Sequence, residues 1–259
     1  MKYVFVLWLL LLTVGVNKIY CQDNYEIQVY GSATQNAGST MFELHSNYTI
    51  AGQKNTIDGV LPSHHALHET LEITTGISKN FELGFYLFTN YNSQNNFQIV
   101  GTHIRPRISA PLSWHLPVGL SLSAELGTQK AAYANDIRNL ELRPIIDKQW
   151  AKWYISFNPT FGISLKNTTT NNSIPVFEPN LKIAYKFRPA YNLGIEYFSS
   201  LGAINQFEML HQQQHALFAV FDLLKSKNWE LNFGTGYDFA NVADKWVIKM
   251  YCGRRINWR

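Results

Sequence analysis

His103, Arg105 and Arg107 stand at every second position of one stretch, with Ile104, Pro106 and Ile108 between and after them. A period of two puts the three cationic or ionisable groups on one face of a strand and the apolar ones on the other. The same alternation puts Glu82, Glu125, Arg143, Lys182 and Glu196 on the polar faces of other stretches. Glu43, Glu72, Glu141, Glu178, Asp222, Glu230, Lys186, Lys245 and Lys249 extend the set. Charges gathered on one surface have two uses. They pair with one another across a narrow space and hold the structure together, or they line a polar path and select what passes. Tyr86, Phe88, Ile145, Phe198, Phe218 and Val220 fall on these same faces and would form an apolar patch among the charges. Such a patch would bind a greasy solute or receive the segment that precedes the strands.

Other chemistries find little support. Barrel enzymes that cleave or move lipid acyl chains need His and Ser two residues apart on one strand face. Here His45 and Ser46 are adjacent and point to opposite sides. The histidines collect at His64, His65 and His68 and at His211 and His215, in no compact zinc spacing, and read as solvated loop residues. There is no glycine-rich phosphate loop and no helical metalloprotease motif. The sequons at Asn47, Asn167 and Asn171 matter only in a eukaryotic secretory cell. No catalytic residue, metal or cofactor is expected.

The elements that would hold the charged faces are strands. Residues 118–128 read apolar at Val118, Leu120, Leu122, Ala124 and Leu126, with Gly119, Ser121, Ser123, Glu125 and Gly127 opposite. Residues 153–165 do the same, broken only at Pro159. About twelve strands follow, near 41–51, 64–77, 81–91, 99–110, 118–128, 139–148, 153–165, 176–187, 191–200, 215–224, 229–238 and 244–253. Short and long connectors alternate, as tight periplasmic turns and longer outer loops do in a transmembrane barrel. A strand of about eleven residues rising ~3.3 Å each and tilted by about 40° covers roughly 28 Å, enough for the apolar band of a membrane. Trp114, Trp150, Trp153, Tyr191 and Trp229 flank the short turns, and Tyr48, Tyr91, Tyr133 and Tyr237 the long connectors, like two interfacial girdles. If the apolar faces meet lipid, the charged faces must turn inward, because a charge facing lipid costs several kcal/mol. Twelve strands imply a backbone diameter of roughly 24 Å, which side chains leave narrow or closed.

Composition fits. Aromatic residues reach 14% of the 259 residues and charged residues only 15%, against about 25% charged in an average soluble domain. The net charge of +4 lacks any basic run and gives no reason to expect nucleic acid. Residues 1–21 read as a secretory signal: Lys2, then an apolar run from residue 3 to 12, then a polar exit. The expected organisation is signal peptide 1–21, an N-terminal periplasmic segment or plug 22–40, and a barrel 41–259 with both mature termini on the periplasmic side. Past the signal, Cys252 is a lone thiol and no run of 18 apolar residues remains, so neither a disulfide framework nor a membrane helix is expected.

Residues 69–87 read ETLEITTGISKNFELGFYL. Glu72, Gly76, Ser78, Asn80, Phe81, Glu82, Leu83 and Gly84 resemble the hairpin of a bacterial outer-membrane barrel family labelled as phenol-degradation-pathway transporters. Lys79–Asn80 departs from that family's usual acidic–basic turn. The resemblance implies a transport-type barrel and carries no catalytic residue. The expectation is therefore an all-β transmembrane antiparallel barrel of about twelve strands in a bacterial outer membrane. It would let a small solute, apolar ones included, pass or bind passively. A closed structural or surface-interaction barrel is the alternative, and a lipid-modifying enzyme comes third. Its partners would be outer-membrane lipid and an unnamed small solute.

Overall fold

The computed structural model describes residues 24–92, 96–168, 174–226, 228–239 and 244–258. The signal-like stretch 1–21 and the sequon at Asn171 lie outside them. Twelve strands of ten to fifteen residues carry the fold. They are β1 (Ser39–Ala51), β2 (Leu67–Ser78), β3 (Phe81–Asn92), β4 (Asn96–Ser109), β5 (Gly119–Gln129) and β6 (Asp136–Trp150). The second half comprises β7 (Trp153–Asn167), β8 (Val176–Arg188), β9 (Tyr191–Ser200), β10 (Gln214–Ser226), β11 (Trp229–Asp238) and β12 (Trp246–Asn257). Each strand pairs antiparallel with its sequence neighbours, and β1 also pairs with β12 from Ser39↔Asn257 to Ala51↔Trp246. The sheet closes on itself and has no free edge, the condition for a sheet to stand in lipid. Among the described residues the only helical element is a single 3-10 turn, Leu112–Trp114.

The alternation of β3 shows how sequence becomes orientation. Glu82, Gly84, Tyr86 and Phe88 are buried, whereas Leu83 and Phe85 are exposed. In β5 Leu122 and Leu126 are exposed while Ser121, Ser123 and Glu125 are buried. The large apolar side chains therefore face out all round the wall, and the interior is filled with polar and charged groups. This arrangement is unfavourable in water and favourable in a bilayer. Exposed Trp114, Trp150, Trp153 and Trp229 ring the short-turn end, and Tyr48, Tyr91 and Trp246 the long-connector end. Tyr133, expected in the outer girdle, instead packs from its connector against the inward cluster of Tyr86, Phe88 and Val100.

Two details depart from plain alternation. Val100, which strict alternation with Ile104 and Ile108 would put on the lipid face of β4, is buried. The register slips there, from Phe88↔Gly101 to Thr89↔Ile99, so one extra residue turns inward and Ile99 takes the outer face. Prolines in β4, β6 and β7 interrupt the ladder. Pairing between β4 and β5 skips from Ile104↔Leu126 to Arg107↔Ser123 around Pro106. Between β6 and β7 it skips from Leu142↔Phe161 to Ile146↔Phe157 around Pro144 and Pro159.

The chain before β1 runs inside the barrel. Tyr25, Glu26, Ile27, Val29 and Tyr30 are all buried. Asn24 meets Asp244 and Asn47 at the long-connector end, and Asn36 meets Ser39 and Gly76 at the short-turn end. The expectation that both termini share the periplasmic side does not describe residues 24–38. Strand parity places the two ends of the barrel strands but says nothing about a segment that crosses the lumen.

Candidate functional site

The lumen is built from the inward positions of all the strands, and the backbone of residues 24–36 threads it. A segment with no strand partner must satisfy its own amides and carbonyls. Inward side chains do this. The Tyr30 N–H donates to Asn158 Oδ1 at 2.8 Å, and Ser156 and Asn158 donate to the Tyr30 carbonyl at 2.5 and 3.0 Å. Thr70 donates to the Tyr25 carbonyl at 2.7 Å and Lys249 to the Ile27 carbonyl at 2.8 Å. Ser32 binds Asp147 through its N–H at 3.0 Å and its hydroxyl at 2.6 Å.

Glu82, Arg105, Arg107, Glu125, Arg143, Lys182 and Glu196 are all buried in the lumen, whereas Glu141, Glu178, Glu230 and Lys245 are half-buried, and most of these residues act in groups. Arg105, on β4, lies 2.8 Å from Glu72 and 3.3 Å from Glu82, with its guanidinium 4.7 Å above the Tyr30 ring. Arg107 pairs with Glu82 at 2.7 Å and donates to the carbonyls of Gly31 at 3.0 Å and Ala33 at 2.8 Å. The other oxygen of Glu82 accepts the Gln35 N–H at 2.5 Å. On the β5–β6 side, Arg143 pairs with Glu141 at 2.5 Å and with Glu26 of the threaded segment at 3.2 Å, and it too covers the Tyr30 ring. Glu125 pairs with His103. Across the barrel, Lys182 lies 2.9 Å from both Glu196 and Asp222, and Glu196 also holds Lys249. Lys186, counted with the inward set, is exposed, because the wall ends there.

The inward apolar residues form two clusters, one at each side of the segment. Tyr86 and Phe88 pack with Val100 and Tyr25, the Tyr25 and Phe88 rings 5.3 Å apart. Phe198 and Phe218 pack with Ile27, Val29, Ala216, Val220 and Val247. His68, expected among solvated loop histidines, is buried with its ring edge-on to Tyr25 at 4.9 Å. It sits on β2, whereas His64 and His65 lie in the connector before it. A cavity of about 20 Å³ remains beside Ile27, Phe218 and Asp238, room for about one water molecule.

Sequence reasoning missed Tyr30, Glu26, Asp147, Ser156 and Asn158, which anchor the segment. Asn158, Ser156 and Asp147 are short polar residues at inward positions, and their alternation was the available signal. Nothing in the pattern of 24–36 announces that Tyr30 sits under three guanidinium groups, within 4.7 to 5.8 Å of each.

No family model and no curated protein matches the chain. Solved structures do. The COG4313 outer membrane channel from Pseudomonas putida F1 superposes with a TM-score of 0.62 at 11% identity, over 89% of this chain and 100% of that one. The NanC porin gives 0.54 at 6% identity over 84% and 99%. The KdgM porin gives 0.50 at 11% identity over 85% and 99%. At such identities the likeness is one of fold. The chain is a closed twelve-stranded antiparallel β-barrel with the fold of outer-membrane channels and porins.

Proposed function

We propose that this barrel lets a small solute cross or bind within a bacterial outer membrane passively, without a cofactor, and that residues 24–36 act as a plug that must shift for passage. The observation that carries this reading is the seating of that segment. It lies along the lumen and is held by side chains from many strands, with no strand partner of its own. Displacing it would uncover Arg105, Arg107, Glu82, Arg143, Lys182 and Glu196 as a charged lining, and Tyr86, Phe88, Phe198 and Phe218 as two apolar patches. A lumen with both surfaces suits a small solute with apolar parts. The resemblance of the 69–87 hairpin to phenol-degradation-pathway transporters supports the same solute class. One of the structural likenesses is named as a channel.

The second reading, a closed structural or surface-interaction barrel, draws on the pairing of nearly every lumen charge and on the small size of the cavity beside the segment. Single-channel current across a planar bilayer separates the two. The passage reading expects small, reproducible conductance steps from the whole protein, and larger steps with altered ion selectivity from Arg105→Ala/Arg107→Ala. A silent bilayer with inserted protein, for both forms, would establish the closed barrel.

A further inference from the structure

We propose that Glu43, His45 and Glu72 form a binding site for a divalent transition cation of the zinc class on the inner face of β1 and β2. Glu43 and His45 are two residues apart on β1 and so share a face, and Glu43 is directly opposite Glu72 on β2. One donor atom from each residue lies within 4.8 Å of the other two, and all three residues are buried.

Two buried carboxylates facing each other repel unless a cation or a proton stands between them. The neighbouring charges do not supply enough. Arg105 bridges Glu72 and Glu82, and Arg107 pairs with Glu82. The two guanidinium groups are thus taken up by Glu72 and Glu82, and Glu43, the third carboxylate, is left over. It is 6% exposed and has no hydrogen bond or ion pair among the described residues. The His45 Nε2 is likewise buried without a hydrogen bond, 3.3 Å from Glu72 Oε2.

Glu72 is already oriented for the task. Its Oε1 accepts from Arg105 and from Thr74 at 2.8 and 2.7 Å, which turns Oε2 toward His45. Outer partners of this kind fix a ligating carboxylate in metal sites. One imidazole nitrogen with two carboxylate oxygens suits Zn²⁺ rather than Ca²⁺ or Mg²⁺, which take oxygen ligands throughout. Three protein donors leave a fourth tetrahedral position for water. The Tyr30 hydroxyl is 3.4 Å from Glu72 Oε2, so the ion would sit against the threaded segment.

The test is calorimetric titration of Zn²⁺ alone into the metal-stripped, detergent-folded full chain. One saturable site is expected, weakened more than tenfold in Glu43→Gln and in His45→Gln and unchanged in His64→Ala/His65→Ala, which removes the surface pair. Cobalt(II) on the unaltered protein gives a reading that does not depend on variants folding: a visible absorption band that Zn²⁺ abolishes. No saturable Zn²⁺ site, no cobalt band, binding that survives both site variants, or Ca²⁺ binding as tightly as Zn²⁺ would each overturn the proposal.

Discussion

Arg107 joins the wall to the segment inside it. It neutralises Glu82 and holds two segment carbonyls at once. Removing one partner of a buried ion pair costs about 3–5 kcal/mol where the other is left uncompensated, and less here because Arg105 stays 3.3 Å from Glu82. Arg107→Ala should therefore lower the urea midpoint of the lipid-embedded protein. The double variant Arg107→Met/Glu82→Gln should lose less than the single one, because it removes the carboxylate whose nearer cation is gone while Arg105 keeps Glu72. A second prediction concerns His64, in the connector after β1. Burial and the neighbouring His65 and Lys54 lower its pKa. Its Nδ1 accepts the Gly52 N–H at 3.4 Å, a bond that requires the neutral ring. With the folded value below the unfolded one, protonation opposes this loop structure as pH falls through the unfolded value of about 6.5. An NMR titration should find the His64 midpoint below that value, and His65→Ala should raise it.

A strand of this barrel presents a lipid face and a lumen face, and a substitution reads out which face it falls on. Leu126 on β5 is half exposed to the outside. An arginine placed near mid-depth on a lipid face costs about 2–4 kcal/mol, so Leu126→Arg should depress the folding free energy measured in vesicles by that order. Thr128→Arg, one step nearer the interface on the same face, should cost less. On β2, Gly76 is a glycine for lack of space. A Cβ there would stand 2.1 Å from the Asn36 carbonyl oxygen, where the segment leaves the lumen. Gly76→Ala should therefore loosen the segment while the strands stay formed. Limited proteolysis should then cut within 24–36 faster than in the parent, with the barrel fragment surviving.

Taken as one body, the molecule inverts the usual order of polar and apolar groups, and lipid takes the place of a hydrophobic core. Exposed Trp114, Trp150, Trp153 and Trp229 at one rim and Trp246 at the other sit where acyl chains meet headgroups. Brominated lipid should quench most of the tryptophan fluorescence, with bromine near the headgroup more effective than bromine at the bilayer centre. Equal quenching at both depths would contradict the two girdles. The closed ring of pairings through β1 and β12 also predicts a compact form that resists detergent until heated, visible as a mobility shift on a gel.

The strand count, the strand positions and the sorting of faces are properties of local periodicity, and they could be read from residues 41–258 without any fold. Strands β1 to β12 fall close to the expected intervals, and Arg105, Arg107, Glu125 and Lys182 follow from alternation alone. Alternation has a period of two and carries no memory of anything beyond the strand. It therefore missed the bulge at Val100, where one extra residue exchanges the faces, and it misjudged His68, which takes an inward position on β2 beside Tyr25. Nor did it indicate which charges meet. Glu82 lies between Arg105 and Arg107 because β3 and β4 are neighbours, and Lys182 is opposite Glu196 because β8 and β9 are, but Lys249 reaches Glu196 from β12 only because the wall curves and closes. The route of residues 24–36 depends most on the tertiary structure. A short polar-and-aromatic segment has no period to read, and its conformation is set by hydrogen bonds to Thr70, Ser156, Asn158 and Lys249, four residues brought to one axis by barrel closure.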